Sequence, residues 1–103
     1  MQQRRRKALE KKGWKTGSAS EFLELSDEEL AVIELKLALG SALKQRRQKK
    51  RLTQTAFAKA ISSSQSRVAK MEAGDPSVSL DLLVKSMLSL GATRRDVANA
   101  IAR

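Results

Sequence analysis

Residues 53–74, TQTAFAKAISSSQSRVAKMEAG, contain two short runs of apolar side chains at helical spacing. The apolar positions are Phe57, Ala58 and Ile61 in the first run and Val68 and Met71 in the second. Three serines at positions 62–64 interrupt the pattern between the two runs. The spacing predicts two helices, each too short to be stable alone, that share their apolar faces across a tight polar turn.

The residues that flank these runs are suited to capping helices. Thr53 can accept a hydrogen bond from a helix that begins at Gln54, and Ser64 can do the same for a helix that begins at Gln65. Gly74 provides a stop for the second helix. Two short helices joined in this way form a helix-turn-helix arrangement, whose second helix can lie in a DNA major groove.

The stretch resembles the Cro/C1-type (XRE-like) helix-turn-helix family, whose usual pattern is TQxxLAxxxGvsxxxIsxxExG. The matching residues are Thr53, Gln54, Phe57, Ala58, Ile61, Ser64, Val68, Met71, Glu72 and Gly74. Ser62 stands where the family commonly has glycine, and a left-handed backbone at this position costs a serine some energy. The resemblance covers about residues 36–90 and implies a compact bundle of the lambda-repressor-like type.

A long amphipathic helix is predicted ahead of this motif. Ser26 and Glu29 form a capping box, from which the apolar pattern runs to about Lys50. One face is formed by Leu30, Ile33, Leu37 and Leu43, and it is broadened by Val32, Leu35 and Leu39. Gly40 marks a kink, a junction or a close contact with another helix, and the sequence does not distinguish these alternatives.

Two further helices are predicted after the motif. Ser79 caps one from Leu80 to Leu90, and Thr93 caps the last, from Arg94 to Ala102. The expected core positions are Leu80, Leu83, Val84, Met87, Leu88 and Leu90 in the first and Val97, Ala98 and Ile101 in the second. The fold prediction is therefore all-α, a compact five- or six-helix bundle with an N-terminal helical extension.

The chain is divided by composition into a basic arm with its linker, residues 1–19, and a single helical domain, residues 20–103. The arm carries six basic residues within positions 1–12 and has little apolar surface to bury, so it is predicted to be flexible. It either tracks phosphates or enters a minor groove, or it is a solubilising tail.

Composition favours a nucleic-acid partner and argues against an enzyme. The formal net charge is +10, and residues 44–74 carry nine basic side chains and one acidic. The chain has no cysteine, histidine or tyrosine, so we expect no catalytic site, metal or other cofactor. Glu34 and Lys36 break the longest apolar stretch, so we expect no membrane span and a cytoplasmic, nucleoid-associated protein.

The family resemblance implies which side chains read DNA. In the family, residues at the amino end of the second helix contact base edges, and the first residue of the preceding helix supports them and touches a phosphate. Carried over by position, the base-contacting residues are Gln65, Ser66 and Lys70, and Arg67, on the same helix, is a further candidate that reaches a base or a phosphate. Gln54 is then the supporting residue and a phosphate contact, with Thr53 beside it. Ser77, just beyond the second helix, is a weaker phosphate candidate.

The run LKQRRQKKR at positions 43–51 adds further candidate phosphate contacts. We expect Arg46, Lys50 and Arg51 to flank the helix-turn-helix and bind the DNA backbone. The alternative is a solvated cationic face that favours the negative end of its own helix.

Function is expected to be sequence-specific repression of transcription by a homodimer on double-stranded DNA, with residues 80–103 as the first region to search for the interface. The chain also resembles HigA-like antitoxins, which repress their own promoters and neutralise a RelE-like ribonuclease toxin. Acidic side chains suited to a basic toxin are Glu21, Glu24, Glu28 and Glu34. The alternatives are a stand-alone or phage-type repressor and a protein-interaction module without specific DNA binding. An RNA-binding role lacks an aromatic stacking platform.

Overall fold

The computed structural model describes residues 25–102, so the predictions for the basic arm and linker, and for residues 20–24, lie outside the described residues. Within the described range the chain forms five helices and no strand, which confirms the all-α prediction. The helices are α1 (Asp27–Lys49), α2 (Gln54–Ala60), α3 (Gln65–Ala73), α4 (Leu80–Ser89) and α5 (Arg94–Ala102). The chain divides into two units between Val32 and Ile33, and the bundle described below belongs to the second unit.

In the first unit, the capping box predicted at the start of α1 is present. The Glu29 amide donates to Ser26 Oγ at 3.1 Å, and the Ser26 amide donates to Glu29 Oε1 at 3.4 Å. Asp27, Glu28 and Glu29 place three carboxylates in the first turn, where the helix dipole is positive. Local chemistry therefore fixes the beginning of this helix.

In the second unit, the buried face of α1 is formed by Leu39, Gly40, Leu43 and Arg47. The prediction was right for Leu43 and Leu39 and wrong for Leu37, whose side chain is 47% exposed. Leu37 points about 160° around the helix from Leu39, because successive residues in an α-helix are about 100° apart. Because α1 carries apolar residues on more than one face, the sequence pattern does not determine which face packs into the core.

Gly40 allows α1 to approach α3 closely. A Cβ atom at this position would lie 2.5 Å from the carbonyl oxygen of Met71 and 2.8 Å from that of Glu72. Both are backbone atoms near the end of α3, so they cannot move aside as a flexible side chain does. Of the alternatives that the sequence left open, the structure supports the close contact between helices.

The core face of α4 was predicted largely correctly. Leu83, Met87 and Leu90 are buried, and the Leu82 amide donates to the predicted cap, Ser79 Oγ, at 3.1 Å. The prediction was wrong for Leu88, which is exposed. Ser86 is buried in place of Leu88, because it shares a helical face with Leu83 and Leu90.

The last helix, α5, begins and ends as predicted but turns a different face inward. Its N-terminus is closed by a reciprocal pair, in which the Asp96 amide donates to Thr93 Oγ1 at 3.1 Å and the Thr93 amide donates to Asp96 Oδ2 at 2.8 Å. Val97 is buried as expected. Ala98 and Ile101 are exposed, contrary to prediction, and Ala100 is buried instead, one turn along from Val97.

One hydrophobic core fixes the helix-turn-helix to its neighbours. Its largest fully buried side chains are Leu39, Leu43, Phe57, Val68, Met71, Leu83 and Met87, which come from α1, α2, α3 and α4. Burying a side chain of this size contributes roughly 1.5–3 kcal/mol, so these contacts hold α2 and α3, which are too short to be stable alone. Among the described helices, none combines the length and the apolar character needed to cross a membrane.

Candidate DNA interface

The turn between α2 and α3 has the geometry that its sequence predicts. The Ala56 amide donates to Thr53 Oγ1 at 3.0 Å, and the Arg67 amide donates to Ser64 Oγ at 3.1 Å, so both predicted caps are confirmed. Ser62 has a φ of +55°, the left-handed conformation for which the family pattern uses glycine. Gly74 ends α3 with a φ of +68°.

Helix α3 separates a buried face from an exposed polar face. Val68, Met71 and Glu72 are buried. The four residues expected to contact bases, Gln65, Ser66, Arg67 and Lys70, are all exposed. At about 100° per residue, Ser66 and Lys70 lie opposite the buried face, whereas Gln65 and Arg67 lie at its two edges. Arg67 therefore points away from the side that Gln65 occupies.

A hydrogen-bonded network runs from α1 through the buried end of α3 to the exposed end of the motif. Arg47 Nε donates to Glu72 Oε2 at 2.5 Å, and its Nη2 donates to Oε1 at 3.0 Å. Gln54 Nε2 donates to the same Oε1 at 3.0 Å, and Gln54 Oε1 accepts from Gln65 Nε2 at 2.6 Å. The predicted support of Gln65 by Gln54 thus corresponds to a direct hydrogen bond between the two side chains.

The network holds Glu72 in its charged form. Burial raises the pKa of this carboxyl, but hydrogen bonds from Arg47 and Gln54 and the positive charges of Arg47 and Lys44 outweigh it, so the pKa lies below its ordinary value. The hydrogen bond to Glu72 raises the pKa of Arg47 against the opposing effect of burial. Each residue is only 8% exposed, so the ion pair is structural.

The structure divides the predicted cationic flank of α1 between two sides of the helix. Arg46 pairs with Asp96 of α5, its Nη2 lying 3.2 Å from Oδ2. This ion pair lies in a cleft that is also lined by Lys50, Gln45, Met87 and Asn99. The side chain of Lys50 passes close to Gly91. Neither of these two predicted phosphate contacts is brought next to α3. Arg51, which is exposed and has a φ of +58°, follows the end of α1.

Ser77 lies in an exposed turn after α3. Its amide and hydroxyl both donate to Asp75 Oδ1, at 2.8 and 2.6 Å, and these hydrogen bonds hold the pKa of Asp75 below its ordinary value. Lys36 Nζ donates to the Pro76 carbonyl at 2.9 Å, which ties the turn to α1. A phosphate at Ser77 would therefore meet a neighbouring carboxylate.

Two residues important to the interface were missed by the sequence analysis. Arg47 was treated as part of a uniform cationic run, although it lies four residues beyond Leu43, on the same helical stripe as the core. That spacing could have identified it. Lys44 is exposed and close enough to Glu72 to lower its pKa, so it lies on the α3 side of α1. No local pattern distinguishes it from Arg46.

The fold and the exposed polar face of α3 define a helix-turn-helix domain, a class of DNA-binding protein. A family model described as helix-turn-helix matches residues 43–98, just over half of the chain. The chain belongs to this helix-turn-helix family, of the XRE type, and is thereby a DNA-binding transcription regulator. Neither the curated proteins nor the solved structures include a match to the chain.

Proposed function

We propose that this protein is a sequence-specific repressor that inserts the amino-terminal half of α3 into the DNA major groove. The observation that carries the proposal is the combination of an exposed polar face on α3 with a buried network that orients it. Gln65 is fixed by Gln54, which is itself fixed by Glu72 and Arg47. Side chains held in this way lose little conformational entropy when they bind.

The chemistry of the exposed face suits base recognition. Gln65 can pair with the N6 and N7 edge of adenine, Lys70 can donate to guanine acceptors, and Ser66 can contact either base. A good bidentate contact discriminates against a wrong base by about 1–3 kcal/mol. Arg67, at the edge of this face, reaches toward the backbone or an outlying base.

Backbone phosphates are expected to be contacted around the recognition helix. Thr53 and Gln54 lie at the amino end of α2, Lys44 adds positive charge on the α3 side of α1, and Arg51 adds an exposed cation just after the end of α1. Arg46 and Lys50 remain predicted phosphate contacts, but they require the DNA to approach the α5 side. Such contacts position the protein without reading sequence and make binding salt-dependent.

Repression is proposed to act through a homodimer that occupies a promoter. Two copies of α3 placed one helical turn of DNA apart, about 34 Å, would read a palindromic operator. Exposed Leu88 on α4 and Ile101 on α5 support an interface within residues 80–102. The same regulator is proposed to act in the cytoplasm on the nucleoid.

The most specific form of the proposal is an autoregulatory antitoxin that also binds a RelE-like toxin. The support is that Glu28, Glu29 and Glu34 of α1 are each exposed, so that their negative charge would attract a basic partner. A neighbouring reading frame that encodes a small basic RelE-like protein, and its co-purification with this chain, would support this role. A stand-alone repressor would have neither.

The function is tested by gel-shift titration at physiological salt, with DNA from upstream of the gene against random DNA of equal length. We expect at least ~10³-fold tighter binding to the upstream fragment. The variant Gln65→Ala/Lys70→Ala should lose that preference, because two base-contacting groups are removed. The matched control, Gln45→Ala/Lys59→Ala, removes an exposed glutamine and lysine outside α3 and should keep it.

Equal, weak binding of the unaltered protein to both fragments would contradict the repressor and favour a protein-interaction module. A preference that survives in Gln65→Ala/Lys70→Ala would show that another element reads the bases. Circular dichroism of each variant establishes that the fold is retained.

A further inference from the structure

The cleft that contains the ion pair of Arg46 and Asp96 lies between the carboxyl-terminal half of α1 and α5. Its volume is about 320 Å³, at the small end of the range for sites that bind small molecules. Ala42 of α1 and Ala100 of α5 keep the space open because their side chains are short, and Met87 adds a buried apolar surface. The cleft is therefore large enough for a small organic molecule.

The charged side chains around this space leave an excess of positive charge. Arg46, Lys49 and Lys50 line the cleft together with one carboxylate, Asp96, so three cations and one anion give a formal net charge of +2. Asp96 is already engaged by Arg46 Nη2 at 3.2 Å and by the Thr93 amide at 2.8 Å. The uncompensated positive charge is therefore carried by the two lysines.

Neither lysine has a partner for its ammonium group within residues 25–102. No hydrogen bond or ion pair in that part of the chain involves Lys49 Nζ or Lys50 Nζ. A Cβ atom placed on Gly91 would lie 3.3 Å from Lys50 Nζ, so this group extends from the end of α1 to the turn between α4 and α5. Like charges around one cleft repel each other, and a bound anion would relieve this repulsion.

Two amide side chains complete the polar lining of the cleft. Gln45 comes from α1 and Asn99 from α5, and each amide offers N–H donors to an oxygen of a ligand. These polar groups surround the apolar surface of Ala42, Met87 and Ala100. Cations and amides around an apolar surface suit an anion with a carbon body better than an inorganic anion.

We propose that this cleft binds a small dicarboxylate, whose two carboxylates pair with Lys49 and Lys50 and whose carbon chain lies on the apolar surface. Two carboxylates balance the net charge of +2. Arg46 adds further N–H donors, because Asp96 engages only its Nη2. Asn99 donates from α5, so the ligand joins α5 to α1. The site is not next to α3, and it does not depend on the function proposed above.

The test titrates the full chain with succinate at constant ionic strength and follows backbone amide shifts by NMR. Saturable shifts are expected at residues 45–50 and 96–100. Butyrate has the same number of carbon atoms with one carboxylate, and inorganic phosphate has a similar charge without a carbon chain. Each should bind at least roughly tenfold more weakly than succinate, because each lacks one part of the match.

Variants of the lining residues test which groups hold the ligand. Lys49→Ala/Lys50→Ala should weaken succinate binding at least roughly tenfold, since it removes the charge-assisted hydrogen bonds to both carboxylates. The matched control, Lys59→Ala/Lys85→Ala, removes the same charge from exposed lysines outside the cleft and should leave binding unchanged. Asn99→Leu replaces the amide by an apolar side chain of similar size and should also weaken binding.

Thermal unfolding supplies a second readout that needs no assignment of resonances. A ligand that binds only the folded chain raises the unfolding temperature, so succinate should raise it in the unaltered protein and in the control variant but less in Lys49→Ala/Lys50→Ala. Circular dichroism without ligand establishes that each variant is folded. The proposal is overturned by the absence of saturable shifts, by equal weakening in the two lysine variants, or by butyrate or phosphate binding as tightly as succinate.

Discussion

Arg46 and Arg47 are neighbours in sequence, but α1 directs their side chains to different parts of the domain. Arg47 is buried, and its guanidinium donates to both oxygens of Glu72 and, at 2.7 Å, to the carbonyl of Leu52. Arg46 is partly exposed and pairs with Asp96 of α5. The first arginine supports the recognition helix, and the second joins α1 to the end of the chain.

The comparison shows that a cation in a basic protein is not by itself a DNA contact. A rotation of about 100° between adjacent residues separates the two environments. In the buried pair, Arg47 supplies two hydrogen bonds and the opposite charge that offset the desolvation of Glu72, and Gln54 supplies a third hydrogen bond. In the exposed pair, water and salt can replace either partner, so its loss should be tolerated.

The largest effect is expected from Arg47→Ala. Removing one member of a buried ion pair leaves an uncompensated charge and costs about 3–5 kcal/mol of unfolding free energy. Arg46→Ala is the matched control and should have a much smaller effect, because its partner is solvent-accessible. Urea unfolding followed by circular dichroism measures both. Equal losses would show that the buried and the exposed ion pair contribute alike to the unfolding free energy, contrary to this expectation.

The next largest effect is expected where α1 meets α3. Gly40→Ala places a Cβ atom against two backbone carbonyls and should cost about 1–3 kcal/mol, as overpacking does elsewhere. Ser41→Ala, at the adjacent exposed position, should be close to neutral or slightly stabilising, since alanine favours helices. The same urea titration measures both. A neutral Gly40→Ala would mean that the two helices can separate without loss.

A third, smaller effect concerns DNA binding by the solvent-accessible cations on α1 and just after its end. Lys44→Gln/Arg51→Gln should reduce the salt slope of binding to random DNA by about 1.8, if each side chain neutralises one phosphate. Arg46→Gln/Lys50→Gln should change it less, because these residues line the α5 side. The opposite result would favour the sequence-based assignment of Arg46 and Lys50 as phosphate contacts.

The smallest effect at neutral pH is the dependence of the unfolding free energy on the Glu72 and Asp96 carboxylates, which becomes measurable in acid. The folded protein lowers the pKa of Glu72, so the unfolded chain binds protons more readily. The stabilisation is therefore fully present above the ordinary value of 4.5 and is lost as the pH falls through the lower folded pKa. Urea midpoints measured against pH should show this loss, and Glu72→Gln should lack it.

Asp96, the carboxylate of the exposed ion pair, provides a second test of the difference between the exposed and the buried pair. Hydrogen bonds from the Thr93 amide and hydroxyl group, with the charge of Arg46, lower the pKa of Asp96 from its ordinary value of 3.8. Its contribution has the same sign as that of Glu72. Salt should weaken the Asp96 contribution more, because exposed charges are screened much more strongly than buried pairs. An equal salt sensitivity in Glu72→Gln and Asp96→Asn would contradict the difference in burial.

Features set by a few adjacent residues were predictable from the sequence. The boundaries of α2 and α3 followed from Thr53, Ser64 and Gly74, because a cap needs only a side chain within reach of the next turn. The left-handed backbone at Ser62 followed from the family pattern. Which of several apolar residues faces the core did not follow, as Leu37, Leu88 and Ile101 show, because a helix rich in apolar residues offers more than one register.

By itself the sequence determined the helical class, the helix-turn-helix with its caps, and the positive charge that favours a polyanion. Only the tertiary structure decided what each polar side chain does, since that depends on neighbours brought from distant parts of the chain. Glu72 lies 25 residues from Arg47 and 18 from Gln54, and it joins them only when α1, α2 and α3 pack together. Helical periodicity gives the direction of a side chain on its own helix, whereas the packing of the helices determines which residues that side chain contacts.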